Sequence, residues 1–428
     1  MEGGPTRRTL ILGLNYAPEA TGIAPYTAGL AAGLRRRGVQ TSVITAHPHY
    51  PEWRVHDGYG QWTAHDEQQG VEVTRVRHYV PRHPALTNRM LSEISLGLRQ
   101  SVRRWRRQDV IVGVSPALFA TAIVRLRAAI THPRTPFVVW VQDIYGQGLA
   151  ETHQGGRLSF RTLHALERRV LRSASRVVVI HERFAARVAR EFGIPRDRID
   201  VVRNWSHIDG ESVRTVADTR RHLGWRDDEQ VVLHAGAMGV KQGLESVIDA
   251  ARVALHADAG IRFVFLGNGA RRDHLRTLAE DLPNVQFIET LPQSEFVDAM
   301  NAADVLLVNE RPGVAEMAVP SKLTSYFAVG RPVVAATDPT GITAAEVHAA
   351  DAGVVVDAGD PDALLKAIVD LCGDEERHGR LGRNGRAYQR RVLDAERSIT
   401  DFWAVLSRSM RKNEARGQVA ARAIPTSE

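Results

Sequence analysis

A chain of 428 residues, 43% hydrophobic and 25% charged, lies in the ordinary globular range, which excludes a wholly disordered chain, a collagenous repeat and a small stapled scaffold. At roughly 150 residues per domain the length predicts two or three domains. The net charge of +7 is uneven: residues 1–200 carry 29 basic and 16 acidic side chains, residues 201–428 carry 27 and 33. Only four basic residues are lysines, namely Lys241, Lys322, Lys366 and Lys412. The single cysteine, Cys372, excludes an intramolecular disulfide and a cysteine-rich metal site, and favours a reducing compartment. The apolar stretch after the polar N-terminus stops at Asn15, too early for a secretory signal. The longest apolar run, 110–124, is interrupted and shorter than the roughly 18 residues that span a bilayer. The expectation is a cytoplasmic protein without a transmembrane helix.

In chain order, 9–15 reads as a buried strand, 24–37 as a helix ended by Gly38, and 40–46 as the next strand. Strands at 71–77 and 110–115 flank a helix near 88–107. Then come a strand at 137–141, a helix near 159–171, a strand at 176–180, a helix at 182–192 and a short strand at 199–202. The mixed-charge stretch 207–229 has no hydrophobic periodicity and reads as a linker leading into a second domain. There the pattern restarts: a strand at 230–235, a helix at 244–255, and strands at 262–266, 285–288, 305–308, 333–336 and 353–356. Helices near 361–371, 376–391 and 396–410 close the chain, and the tail from 412 reads as disordered. Strands alternating with helices mean parallel sheets covered on both faces. The fold class is therefore α/β: two Rossmann-like doubly wound domains, 1–206 and 207–394, facing each other across a cleft. The helix 395–411 is expected to pack back on the first domain. Such folds bind ligands at the carboxyl ends of their strands.

Five loops follow strands. The first, from Tyr16, sets the amides of Gly22 and Ile23 at a helix start, where an anion is received or an ordinary turn is made. The second sets Asp143 at the end of an apolar strand, as a cleft carboxylate or a turn aspartate. The third contains Gly236, Gly239, Gln242 and Gly243 with Lys241; its glycines let backbone approach a phosphate, and the lysine adds a point charge. The fourth contains Gly267, Asn268 and Gly269. The fifth runs from Asn309 through Glu316 to Pro320, Ser321, Lys322 and Ser325, opening a helix whose free amides suit a diphosphate. Asp360 and Asp362 flank Pro361 as a helix N-cap does, so no metal site is assigned there. The cluster Arg103, Arg104, Arg106 and Arg107 around Trp105 continues an amphipathic stretch that fits a membrane surface, a nucleic acid or a plain solvated face.

Taken in order, the stretches Asn15-Tyr-Ala-Pro-Glu, His47-Pro-His-Tyr-Pro-Glu-Trp, Val141-Gln-Asp-Ile, Gly239-Val-Lys-Gln-Gly-Leu-Glu and Pro320-Ser-Lys-Leu resemble family-4 retaining glycosyltransferases of the GT-B fold. The type they are most similar to is the bacterial colanic-acid, O-antigen or N-acetyl-fucosaminyl type. The resemblance implies a nucleotide-sugar donor held by the second domain and a saccharide or lipid-linked acceptor held by the first. It implies that Lys241 neutralises the donor diphosphate with the backbone of Gly239 and Gly243, and that neither a metal nor another cofactor is needed. The chain departs from the family pattern at several positions. The arginine usual after the third-loop glycine is Ala237, the usual lysine aligns with Gln242, and two family glutamates align with Met317 and Ser325, with Glu316 one residue off. Gln142 stands where a histidine is common. The residues also admit a nucleotide-sugar epimerase of the same fold, and a non-catalytic protein binding nucleic acid or sugar, although no nucleic-acid partner is expected. The basic first half is expected to favour peripheral contact with the inner face of an anionic membrane.

Overall fold

The structure is a computed structural model that describes residues 7–19, 22–83, 85–144, 157–208, 210–313 and 321–422. The chain divides into two compact units, Met1–Arg203 with Ala395–Glu428, and Asn204–Asp394. The boundary thus falls after Arg203 rather than after residue 206.

The first unit is built from β1 (Arg8–Leu12), α1 (Ala24–Arg36), β2 (Gln40–Ala46), β3 (Thr63–Gln68), β4 (Val71–Val76), α2 (Leu86–Ser101), β5 (Val110–Ser115), α3 (Leu118–Thr131), β6 (Phe137–Val141), α4 (Arg157–Ser173), β7 (Arg176–Val179), α5 (Glu182–Phe192) and β8 (Ile199–Val201). Among the described residues its sheet has eight strands in the order β3-β4-β2-β1-β5-β6-β7-β8. All neighbours are parallel except β3 and β4. The buried runs of β5 and β6, with every residue inside, are what two covered faces demand.

Two sequence expectations change here. The strand β3 was not expected, because Thr-Ala-His-Asp-Glu-Gln is a polar, exposed edge strand with no apolar alternation. It pairs through a tight hairpin at Gln69 and Gly70, both at positive φ, 52° and 75°. The helix expected over 88–107 stops at Ser101. There the Arg127 guanidinium takes the carbonyls of Gln100, Ser101 and Arg103, and Trp105 folds back to donate to the Gln100 carbonyl at 3.1 Å. Tertiary caps end the helix where local propensity would have continued it.

The second unit contains α6 (Val216–Leu223), β9 (Gln230–Ala235), α7 (Glu245–His256), β10 (Ile261–Leu266), α8 (Arg272–Leu278), β11 (Val285–Ile288), α9 (Gln293–Ala302), β12 (Val305–Asn309), α10 (Ser321–Val329), β13 (Val333–Ala336), α11 (Ile342–Ala350), β14 (Gly353–Val356), α12 (Pro361–Cys372) and α13 (Glu375–Val392). Among the described residues its six strands run β11-β10-β9-β12-β13-β14, parallel throughout. The stretch expected as a linker contains α6, capped by the Thr215 hydroxyl on the Asp218 amide at 3.1 Å and closed by Gly224 at φ 73°. Asp360 accepts from the Ala363 amide at 2.9 Å, the N-cap its spacing suggested.

The last helix, α14 (Ala395–Arg422), runs past residue 412, from which disorder was expected; the stretch is rich in alanine and arginine, both strong helix formers. It belongs to the first unit. Ile399, Phe402, Val405, Leu406 and Met410 are buried, and Phe402 meets Trp140 of β6 edge-on at 4.9 Å. Glu396 pairs with Arg36 and Arg37 at 2.6 and 3.0 Å, and Arg408 with Asp200 at 2.9 Å. Removing the Phe402 ring leaves a cavity beside β6, the strand that Asp143 follows. Phe402→Ala is expected to destabilise the first unit by about 3 to 5 kcal/mol, read as a lower denaturation midpoint; an unchanged midpoint refutes this packing.

Candidate functional site

In the second unit, the residues after β9 cross the carboxyl edge of the sheet as a loop held from two sides. On one side it pairs with the loop after β10: the Gly236 amide donates to the Leu266 carbonyl at 2.8 Å, Met238 to Asn268 at 2.9 Å, and Arg271 back to Met238 at 3.0 Å. A Cβ on Gly267 would lie 2.4 Å from the Gly236 carbonyl oxygen, and one on Gly269 2.4 Å from that of Met238. These glycines are therefore required by the touching of two loop backbones. Asn268 between them is exposed, and its Oδ1 accepts from the Gly269 amide at 2.7 Å.

On the other side the loop meets the end of β12. The buried Asn309 amide donates to the carbonyls of Gln242 and Gly243 at 2.7 and 2.9 Å, and the Arg311 amide donates to the Lys241 carbonyl at 2.9 Å. Gly243 has φ 54°, and a Cβ there would lie 2.9 Å from the Arg311 Cα, so glycine is needed for conformation and space together. The Gln242 side chain turns back to accept from the Gly239 amide at 2.9 Å. It shapes the loop instead of extending away from it.

Lys322 enters from the first turn of α10. Its amine donates to Nε2 of the buried His234 at 3.3 Å, and Nζ lies 3.9 Å from where a Cβ on Gly236 would be. Loss of water around the amine pushes Lys322 down to about 8, with the Glu310 charge opposing. His234 is held well below its ordinary value by burial and by the Lys322 charge, so its imidazole is neutral and can accept. Glu310, just past β12, accepts from the hydroxyls of Thr337 and Thr343, the latter at 2.6 Å. Burial nevertheless raises its pKa. Ser321 is exposed at the helix start and Ser325 is buried one turn on. The Tyr326 hydroxyl accepts from the Ala235 amide at 2.9 Å and ties α10 to the end of β9.

The structure thus brings Gly236, Gly239, Lys241, Gln242, Gly243, Gly267, Asn268, Ser321, Lys322 and Ser325 to the carboxyl edge of one sheet and the helix beside it. Glu316 and Pro320 lie outside the described residues. His234, Asn309 and Glu310 were not singled out from the sequence. The available signal was position alone, since each stands at or next to the end of a buried strand.

In the first unit, Asp143 follows β6, partly buried, with Oδ1 accepting from the Ile144 amide at 2.8 Å. Gly22, exposed, and Ile23, at the N-cap of α1, follow β1 at the same edge of the parallel sheet. Here the buried Glu19 joins two loops. It accepts the amides of His49 and Tyr50, both at 2.8 Å, and the Asn15 side-chain amide at 2.9 Å. The stretches beginning at Asn15 and His47 are therefore one physical object. Around it His49 packs 5.1 Å from His78, and the Arg89 guanidinium lies 5.2 Å over the Trp53 ring. Among the described residues no group of three or more His, Cys, Asp or Glu side chains is placed to hold a metal ion, and no helix is long and apolar enough to cross a membrane.

Comparison with known proteins follows these two units. A family described as Glycosyl transferase 4-like domain matches residues 21–205, and one described as Glycosyl transferases group 1 matches residues 216–388. The putative colanic acid biosynthesis glycosyl transferase WcaI of Escherichia coli is 33% identical over 340 residues, covering 76% of this chain and 81% of that protein. The probable glycosyltransferase WbjE of Pseudomonas aeruginosa is 26% identical over 298 residues, covering 67% and 72%. Among solved structures, Anabaena HepE in complex with UDP-glucose superposes with a TM-score of 0.68 at 17% identity, over 93% of this chain and 99% of that one, a likeness of fold.

The histidine cluster has a consequence for stability. Burial and the neighbouring His49 and His47 push His78 down to about 3. Below the ordinary histidine value of about 6.5 the unfolded chain takes a proton that the folded one refuses. Stability is therefore lost as pH falls from about 6.5 toward about 3. The denaturant midpoint should drop across that window, and His78→Gln should flatten the drop; an equally steep drop in the variant refutes the assignment.

Proposed function

Because the chain belongs to the glycosyl transferases group 1 family and carries a glycosyl transferase 4-like first domain, we propose that it moves a sugar from a nucleotide-sugar donor to a polysaccharide or lipid-linked saccharide acceptor, with retention of anomeric configuration. The relatives named for colanic acid biosynthesis and as a probable glycosyltransferase support a place in cell-surface polysaccharide synthesis, of the colanic-acid or N-acetyl-fucosaminyl type. A relative in fold that was solved with UDP-glucose supports the donor class.

One observation carries the donor assignment: the amine of Lys322, one of only four lysines, stands beside Gly236 at the carboxyl edge of the second sheet, on the glycine loop that also contains Lys241. The reaction needs positive charge placed where the leaving nucleoside diphosphate develops its own. Lys241, Lys322 and the loop amides supply it, so this reading calls for no metal. Ser321, Ser325, Gln242, Asn268, Glu316 and Pro320 belong to the donor side in the same reading. On the acceptor side are Asp143, as a catalytic carboxylate, and the amides of Gly22 and Ile23. In a retaining transfer, a donor phosphate oxygen takes the proton from the attacking hydroxyl on the face that the leaving group departs. A lipid-linked acceptor would set the basic first domain at the inner face of an anionic membrane.

A panel of nucleotide sugars, assayed for nucleoside diphosphate release with and without saccharide acceptors, tests this function. Donor rearrangement without transfer would instead select an epimerase. Lys241→Ala should lower turnover by about a hundredfold or more, by analogy with loss of a preorganised oxyanion donor, while leaving the melting temperature nearly unchanged. Normal turnover sinks its role. Donor affinity should weaken as pH rises through about 8, where Lys322 loses its proton. Lys322→Ala should weaken binding and erase that dependence, and an unaltered pH profile refutes it.

A further inference from the structure

The two neighbouring helices α2 and α3 bury one side of themselves and leave an unusual outer side. Both connections, β4 to β5 and β5 to β6, cross the sheet in the same direction, so right-handed crossovers place both helices on one face. They touch closely: a Cβ on Gly97 would lie 2.8 Å from the Ala120 Cα. Arg127, on α3, reaches the carbonyls of residues 100, 101 and 103 and so sets the second half of α3 beside the end of α2. Away from the sheet, large aliphatic side chains stand in water: Leu91 at 50% exposure, Leu98 at 54%, Val102 at 73%, Leu126 at 65% and Ile130 at 72%. Leu91, Leu98 and Val102 form one stripe at helical spacing, and Leu126 and Ile130 another. At the border Trp62 is 67% exposed with the Arg99 guanidinium 3.6 Å over its ring.

The charge beside these stripes has one sign. Residues 86–107 and 118–131 hold eight arginines against a single carboxylate, Glu93, which is buried on the Phe119 amide. Arg104 and Arg107 are exposed with no ion-pair partner among the described residues, and Arg106 has only the distant Glu72 at 3.7 Å.

We propose that this α2–α3 face, with the 102–107 segment, docks on the surface of an anionic lipid bilayer. Aliphatic side chains enter the headgroup boundary, the arginines meet lipid phosphates, and Trp62 sits at the interface. A nucleic acid would answer the arginines and leave the aliphatic stripes bare. A second copy across a two-fold axis would cover the stripes but press arginine against arginine. Only an anionic bilayer satisfies both halves of the surface. The proposal rests on the reading of the first domain as the acceptor side; α2 and α3 each begin at the carboxyl edge of the sheet, where the loops after β1 and β6 lie, and the 102–107 segment lies toward its amino edge.

The test is sedimentation of the full-length protein with vesicles of phosphatidylcholine, alone or mixed with phosphatidylglycerol. Binding is expected to the mixed vesicles, weakening with salt. Combined Leu98→Ser, Leu126→Ser and Ile130→Ser should lower partitioning on the order of tenfold or more. Combined Arg104→Gln and Arg107→Gln should lower it about fivefold per arginine at low salt. Both variants should keep the wild-type melting temperature and nucleoside diphosphate release with a soluble acceptor. No binding by the wild type at low salt, or undiminished binding by the aliphatic variant, overturns the proposal. So does concentration-dependent dimerisation abolished by the aliphatic variant, or salt-sensitive capture of duplex RNA in preference to mixed vesicles. Loss of vesicle binding with sugar transfer intact removes this surface and leaves the transferase reading; vesicle binding without any transfer does the reverse.

Discussion

The side-chain amide of Asn309 holds the glycine loop of the second domain in place. A loop with three glycines has many conformations available and gains little from its own contacts, so fixing it carries an entropic cost at every residue. Asn309 offsets part of that cost with two hydrogen bonds to successive carbonyls, Gln242 and Gly243. Each is worth on the order of 1 kcal/mol and is better sheltered from water than a surface bond. Because Asn309 is the last residue of the central strand β12, the loop takes its position from the sheet rather than from the helix it leads into. The β10 loop then fits against it from the other side, and Lys322 reaches Gly236 only because that backbone is already fixed.

Glu19 does the same work in the first domain with a charge in place of an amide. Three donors converge on one buried carboxylate, two of them backbone amides of the loop after β2. Charge-assisted bonds of this kind are roughly twice as strong as neutral ones. The loops after β1 and β2 are thereby joined at their bases while Tyr50 and Trp53 remain nearer the surface. In both domains a buried polar side chain, at the end of one strand or in the loop after it, fixes the backbone of the neighbouring strand's loop.

Buried strands and the loops after them were legible in the sequence because β-branched runs and glycines leave a local signature. The two-domain α/β architecture followed from their alternation. What escaped was set by distant partners. β3 escaped because an edge strand on solvent has no apolar face to show. The end of α2 escaped because Arg127, on another helix, caps it. In the candidate site, lysines and glycines were visible as types, but Asn309, Glu310 and His234 were not. An asparagine at a strand end looks like any turn residue until the carbonyls it reaches are known. Gln242 shows the opposite failure: its position was legible, while its direction, back onto Gly239, depends on loop geometry.

The scarcity of lysine gains a physical sense from these contacts. Arginine here serves largely as a clamp on carbonyls: Arg127 on three of them, Arg125 on Ser173, Arg198 on Arg172 and Ala174, Arg331 on Asn301. A planar fork of donors suits that task, and a single ammonium does not. Much of the positive excess in the first half is therefore consumed by architecture, including the Arg176 and Arg408 pairs on Asp200. Part of what is left over lies at 103–107, beside the exposed aliphatic stripes. Lys322 serves another purpose. Its compact charge fits beside a glycine backbone where a guanidinium would not, and its pKa responds to burial. Substituting arginine there would keep the charge and lose the fit, so at this position the two cations are not interchangeable.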